Sequence, residues 1–155
     1  MDFPVVSDSA NQEKITLDLA DVDFDVEQLA LQKDWLMQVA SDENKEITSL
    51  SYILCSDHYL HQINVDYLDH DTLTDIITFE LGDPQDSNIE GEIYISIDRV
   101  LDNASQLSVE FTSELSRVLV HGLLHLIGYP DKTSEEKVIM RGKEDHYLAL
   151  LDRMS

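Results

Sequence analysis

The stretch His121-Gly-Leu-Leu-His125-Leu-Ile-Gly128-Tyr-Pro-Asp131 constrains this chain more than any other part of it. Two histidines four residues apart share one face of a helix, because the helical repeat is about 3.6 residues. The surrounding positions Leu115, Val118, Leu119, Leu123, Leu124, Leu126 and Ile127 are apolar, so the imidazoles sit among groups that cannot hydrogen-bond them. Gly128 can end the helix with a turn that a side chain would resist. The reversed chain then carries Asp131 back towards the two rings.

A histidine pair at this spacing also occurs by chance. The apolar setting, the glycine at the reversal and the third ligand type beyond it together favour metal binding. Two nitrogens and one carboxylate oxygen leave a tetrahedral ion with one position for water, the open arrangement of a catalytic zinc. Such an ion lowers the pKa of its bound water towards ~7, which suits hydrolysis of a peptide, amide or phosphodiester. The zinc proteases with this helical spacing place Glu directly after the first His as general base. Gly122 stands there, which argues against a peptidase. The spacing still resembles the long zincin motif with a carboxylate as its last ligand. His58, His61 and His70 fall in a polar helix and loop and read as surface residues. His146 lies beside Glu144 and Asp145 and is the one substitute third ligand worth following.

The length of 155 residues suits a single domain spanning 1–155, and a hydrophobic fraction of 43% suits a globular one. No apolar run reaches the length of a membrane span. The start has no basic or apolar signal region. The lone Cys55 lies in the apolar run Tyr52-Ile-Leu-Cys55 and reads as a buried strand residue, consistent with a reduced, cytoplasmic setting. Asp and Glu number 32 against 10 Lys and Arg, a formal net charge of −22. Such a surface repels polyanions at long range and argues against a general nucleic-acid binder. Screening within about 8–10 Å leaves room for a local basic site. Lys132, Lys137, Arg141 and Lys143 follow the histidine helix, interleaved with acids as on a solvated, ion-paired helix face.

Residues 1–13 are polar and expected to be loose. Strands are predicted at 14–19, 47–55, 76–80 and 92–97 from alternation and β-branched content. Residues 26–41 carry apolar positions on a helical period, closed by Asp42-Glu-Asn-Lys. Ser56-Asp57 can cap a helix through Leu60, Ile63 and Leu68. Turn chemistry fills 82–88. Helices are predicted at about 98–107, 112–127 and 134–152. Strand–helix units, a hairpin and a helical C-terminal half make an α+β fold, with the C-terminal helices over one face of a small mixed four-stranded sheet and about five helices in all.

The run His121-Gly-Leu-Leu-His125-Leu-Ile-Gly128-Tyr129, preceded by Gly91-Glu-Ile-Tyr-Ile-Ser96, resembles the YbeY family. These are ribosome-associated, single-strand-specific, metal-dependent endoribonucleases, also described as rRNA maturation factors. A second match is Ile63-Asn-Val-Asp-Tyr67 followed by Thr74-Asp75-Ile-Ile-Thr-Phe79, and the resemblance covers about residues 50–150. It implies a zincin-like α+β fold, one zinc ion, and single-stranded ribosomal RNA as substrate. The implied role is small-subunit rRNA 3′-end processing and ribosome quality control in the cytoplasm, without membrane or nucleotide cofactor. His121 and His125 fall on the first two metal ligands, and Asp131 on the third, normally His. Asp can ligate zinc through oxygen, making the site more negative and somewhat harder. Leu68 stands where the family typically has an Arg thought to meet the RNA phosphate, and Gly91-Glu92-Ile93 where it has Gly-Asp-Ile. Lys132 or Arg141 could then supply the positive charge that a developing anion needs. Asp75 and Glu92 are conceivable acids or bases, with a turn or cap and a sheet-edge charge as their ordinary roles. The alternatives are a zincin-like metallopeptidase and a non-catalytic, metal-binding ribosome-assembly factor whose acidity complements basic small-subunit proteins.

Overall fold

A computed structural model of the chain describes residues 14–68, 74–83 and 87–155. Strand β1 is Ile15–Leu19. Asp25 then accepts from the Glu27 N–H and opens a single 3-10 turn, Val26–Leu29, which continues into α1, Ala30–Asp42. The helix expected over 26–41 is therefore this pair. Asn44 closes α1 at φ 61°, a left-handed conformation that Asn tolerates, and the Lys45 N–H returns to the Ala40 carbonyl at 2.8 Å. Strand β2 is Glu46–Cys55. The Ser56 hydroxyl accepts from the Tyr59 N–H at 3.1 Å and caps α2, Asp57–Leu68, as the sequence suggests.

Strand β3 is Ile76–Glu80 and β4 is Asn88–Ser96. The sequence placed β4 at 92–97. It begins earlier because Asn88–Glu92 find partners on β2, a pairing that local alternation cannot show. It stops at Ser96 because the Ser96 hydroxyl accepts from the Arg99 N–H and starts α3, Ile97–Leu107. Helix α4 is Phe111–Ile127, and α5 is Ser134–Met154, opened by a capping box between Thr133 and Glu136.

The sheet runs β1-β2-β4-β3, with β1–β2 and β2–β4 parallel and the β3–β4 hairpin antiparallel. This is the expected α+β arrangement with a mixed four-stranded sheet. Side chains alternate across it. Leu50, Tyr52, Leu54, Ile93 and Ile95 face a core shared with α1, α3, α4 and α5. Cys55 and Ile77 face the other side and pack on Leu60 and Ile63 of α2. Burial pushes the Cys55 thiol up to about 12, as befits an inert strand residue. The Trp35 indole donates to the Tyr147 carbonyl and the Tyr52 hydroxyl to that of Leu119, both at 2.7 Å, tying α1 to α5 and the sheet to α4.

Two glycines set the approach of α4 to the sheet. A Cβ on Gly122 would stand 2.8 Å from Ile93 Cδ1 and 3.0 Å from Ile76 Cδ1, and one on Gly91 would stand 2.9 Å from the Phe79 carbonyl. The histidine helix is therefore pressed on the β3–β4 hairpin. Among the described residues no helix is long and apolar enough to cross a membrane.

Candidate metal centre

Helix α4 carries His121 and His125 on one face, and their rings meet edge to face with centroids 4.6 Å apart. The helix ends where the sequence predicts. Gly128 has φ 124°, its N–H returns to the His125 carbonyl, and the Tyr129 N–H returns to that of Leu124. This double closure is the Schellman motif. No atom crowds the Gly128 Cα, so the positive φ alone calls for glycine. The turn brings Asp131 back over the helix. Asp131 Oδ2 stands 3.4 Å from His121 Nε2 and 3.3 Å from His125 Nε2.

These separations test whether the residues fit an ion. Ligand atoms ~2.0–2.2 Å from one tetrahedral ion lie roughly 3.3–3.6 Å from one another. The two carboxylate–imidazole separations match that spacing, all three ligand atoms lie within 4.8 Å of one another, and His121, His125 and Asp131 could hold a divalent metal.

Behind His121 lies a residue that the sequence gave no reason to select. Glu144 of α5 accepts from His121 Nδ1 at 2.6 Å and is 5% exposed. A carboxylate on Nδ1 fixes the tautomer and turns the Nε2 lone pair outward, the usual support of a metal-binding imidazole. The other Glu144 oxygen accepts from Arg117 at 2.8 Å, and Arg117 also binds Asp145 at 2.8 Å. Burial works to raise the Glu144 pKa, but its hydrogen bonds from His121 and Arg117 prevail and hold it below the ordinary carboxylate range. Burial likewise opposes charge on His121. The Glu144 carboxylate, aided by Asp131 and Asp75, outweighs burial and lifts the imidazole above its usual value. Arg117 lies one helical turn before His121, a spacing that could have flagged it. Glu144 is 23 residues away on another helix, and nothing local marks it.

The loop that delivers Asp131 has its own anchor. The Tyr129 hydroxyl donates to Glu43 at 2.6 Å, Lys143 donates to Glu43 at 2.9 Å, and the Tyr147 hydroxyl donates to the same carboxylate. Lys143 Nζ also sits 5.2 Å from the Tyr129 ring centroid.

Asp75, Glu114, Arg117, His121, Asp131, Arg141 and Glu144 line a cleft of about 320 Å³ beside the ligand atoms. Of the two cations expected to serve the site, Arg141 reaches this cleft. Lys132 is exposed next to Asp131, with its backbone N–H on Glu136, and is absent from the lining. Asp75 is in the cleft. Glu92 alternates with Ile93, which packs on Gly122 of α4, so it lies on the far face of the sheet. His146 is exposed, stacks edge-on against Tyr147 and takes no part in the ligand group. His58 and His61 lie on α2, outside that group, and His70 is outside the described residues.

The family model of Endoribonuclease YbeY matches residues 12–152. The chain belongs to the YbeY family. It is 52% identical over 130 residues to the Endoribonuclease YbeY of Cytophaga hutchinsonii, covering 84% of this chain and 90% of that protein. It is 48% identical over 128 residues to that of Amoebophilus asiaticus, covering 83% and 86%. The solution structure of TM1509 from Thermotoga maritima matches with a TM-score of 0.64 at 27% identity, covering 88% of each chain. Asp131, the third residue of this candidate group, stands where the resemblance expects His, with Oδ2 within 3.4 Å of both imidazole Nε2 atoms. Leu68, where the resemblance expects Arg, ends α2 and is 39% exposed. Arg117 and Arg141 place guanidinium charge at the cleft from other directions.

Proposed function

We propose that this chain is a zinc-dependent endoribonuclease that cuts single-stranded RNA and acts in maturation of the small-subunit rRNA 3′ end. Membership of the YbeY family supports the reaction class. The observation that carries the site is the convergence of His121 Nε2, His125 Nε2 and Asp131 Oδ2.

When bound there, zinc would supply an acidified water and a Lewis acid for a phosphoryl oxygen. The chain's own residues do the rest. Glu144 holds the His121 proton at Nδ1, which aims Nε2 at the position an ion would take. Arg117, fixed by Glu144 and Asp145, offers a preorganised positive charge at the cleft. Arg141 is mostly exposed and reaches the same cleft, so it can meet a phosphate of the incoming strand. Lys132 stands outside it and would act at longer range. The Asp75 carboxylate is available there for proton transfer.

The peptidase reading fares worse against the packing. A Glu after the first His would replace Gly122, and its Cβ alone would strike Ile93 and Ile76. The net charge of −22 favours one further element, contact with basic small-subunit proteins in the cytoplasm.

The test is metal analysis and incubation with unstructured RNA for the wild type, His125→Ala and Asp131→Ala. Loss of both metal and cleavage in folded variants is expected. Unchanged cleavage in either variant sinks the proposal, and cleavage absent from a zinc-loaded wild type leaves the assembly-factor reading standing instead.

A further inference from the structure

Helix α4 carries more than its histidines to the cleft. Glu114, Arg117 and His121 stand at i, i+3 and i+7, on one face of the helix, and all three line the cleft together with Asp75 and Asp131. Glu114 is only 8% exposed, yet it borders both this cleft and the groove between α1, α4 and α5. Neither the ligand group nor the support of His121 involves it.

Two enclosed glutamates therefore border one cleft, and their surroundings drive them in opposite directions. Burial works against charge on Glu144, but its hydrogen bonds from His121 and Arg117 prevail and keep it a carboxylate. For Glu114 burial is the largest influence and lifts its carboxyl above the ordinary value. Arg117 of the same helix and Arg141 of α5 pull the other way, while Asp75 before β3 and Glu144 of α5 add to burial. An incoming phosphate brings further negative charge to this cleft and favours the protonated form again. Carboxyl groups pushed apart within one site are the mark of an acid set beside charged partners.

We propose that Glu114 is the general acid of the cleavage reaction and gives its proton to the ribose oxygen that leaves phosphorus. The oxygen of a water molecule bonds to phosphorus, and its proton passes to the Asp75 carboxylate. The bond from phosphorus to the bridging ribose oxygen breaks, and that oxygen takes the proton of the Glu114 carboxyl. Exchange with solvent returns a proton to Glu114 and removes one from Asp75, so the net change is one water consumed and one phosphodiester opened. Arg117 stands between Glu114 and His121 along the stripe, which sets a positive partner for the phosphate between the acid and the candidate ligand group.

The inference rests on the ribonuclease reading, and its test separates the two. The products of wild-type cleavage of an unstructured RNA tell which bridging oxygen leaves. A second oligomer carries sulfur at that one position, and a thiolate departs without needing a proton. Glu114→Gln should lower kcat on ordinary RNA by about 10²–10⁴-fold and on the sulfur oligomer by less than about tenfold, with KM and zinc content close to those of the wild type. Glu114→Asp, which keeps the acid one methylene further back, should fall between the two on ordinary RNA. Asp75→Asn should be slow on both substrates, because the attacking water still has to lose its proton. Equal slowing of Glu114→Gln on the two substrates, or no slowing on either, overturns the acid role while the ribonuclease reading stands. Rescue of Asp75→Asn by sulfur in place of Glu114→Gln overturns it as well. A zinc-loaded wild type that cuts neither oligomer removes the ribonuclease reading, and the acid role with it.

Discussion

Two glutamates with largely enclosed side chains serve the same corner of the molecule in different ways. Glu144 takes its hydrogen bonds from His121 and Arg117, both of which line the cleft. Glu43 takes its bonds from Tyr129, Lys143 and Tyr147, which join the end of α1 to α5 and to the loop after α4. Glu144 orients His121, whereas Glu43 anchors the loop that carries Asp131. A buried carboxylate is costly unless paired, and each is paired. The difference lies in what its partners do next: the Glu144 partners line the cleft beside the candidate metal group, while the Glu43 partners face one another.

The comparison breaks most readily at Glu144. Glu144→Ala leaves Arg117 and His121 without their shared carboxylate. Loss of one partner of a buried pair costs about 3–5 kcal/mol, and loss of a carboxylate behind a metal-binding His costs ~10–100-fold in metal affinity. Denaturant unfolding and competition with a zinc chelator should both register the change; a variant that keeps full zinc affinity would demote Glu144 to a purely structural residue.

Glu43→Gln should cost less, about 1.5–3 kcal/mol, the worth of a hydrogen bond to a charged group. Its zinc affinity should fall less than that of Glu144→Ala. If chelator competition ranks the two variants the other way, the division of labour is wrong.

The Glu43 cluster also has a pH signature. Burial pushes the Glu43 pKa up, but the hydrogen bonds from Tyr129, Tyr147 and Lys143 prevail and hold it below its usual value. A depressed folded pKa means stability that is full above the ordinary Glu value of roughly 4.3 and lost as pH falls through the lower folded value. Wild type and Glu43→Gln should therefore differ in urea unfolding at neutral pH and converge in acid. A gap that persists unchanged at pH 3 would show that the charge of Glu43 is not its contribution.

The smallest effect is expected at Arg141, whose 3.5 Å approach to Glu144 is largely solvent-exposed. Arg141→Ala should leave the melting temperature almost unchanged, as exposed ion pairs contribute little. It should weaken cleavage of single-stranded RNA and flatten its salt dependence. Unaltered salt dependence would remove Arg141 from the substrate path.

The order and type of the elements were legible because they follow local rules. The period of 26–41, the cap at Ser56 and the glycine at 128 each act within one turn of chain. The ligand group was legible for the same reason, since His121, His125 and Asp131 lie within one helix end and one loop. The early start of β4 was not, because its partners sit on β2 some forty residues earlier in the chain. Gly122 was read as a missing base, whereas in the fold it is the contact that lets α4 lie on Ile93. Glu43, read as part of a helix-closing segment, gains its role only when α5 arrives beside it.

By itself the sequence determined which atoms could hold a metal and that they would converge, because helical pitch and a glycine reversal act over a few residues. Tertiary structure decided what stands behind those atoms: Glu144 on His121 and Glu43 on Tyr129. The physical reason is range. Covalent geometry reaches a turn or two along the chain, whereas burial and charge pairing act between segments that only the packed core brings within hydrogen-bonding distance.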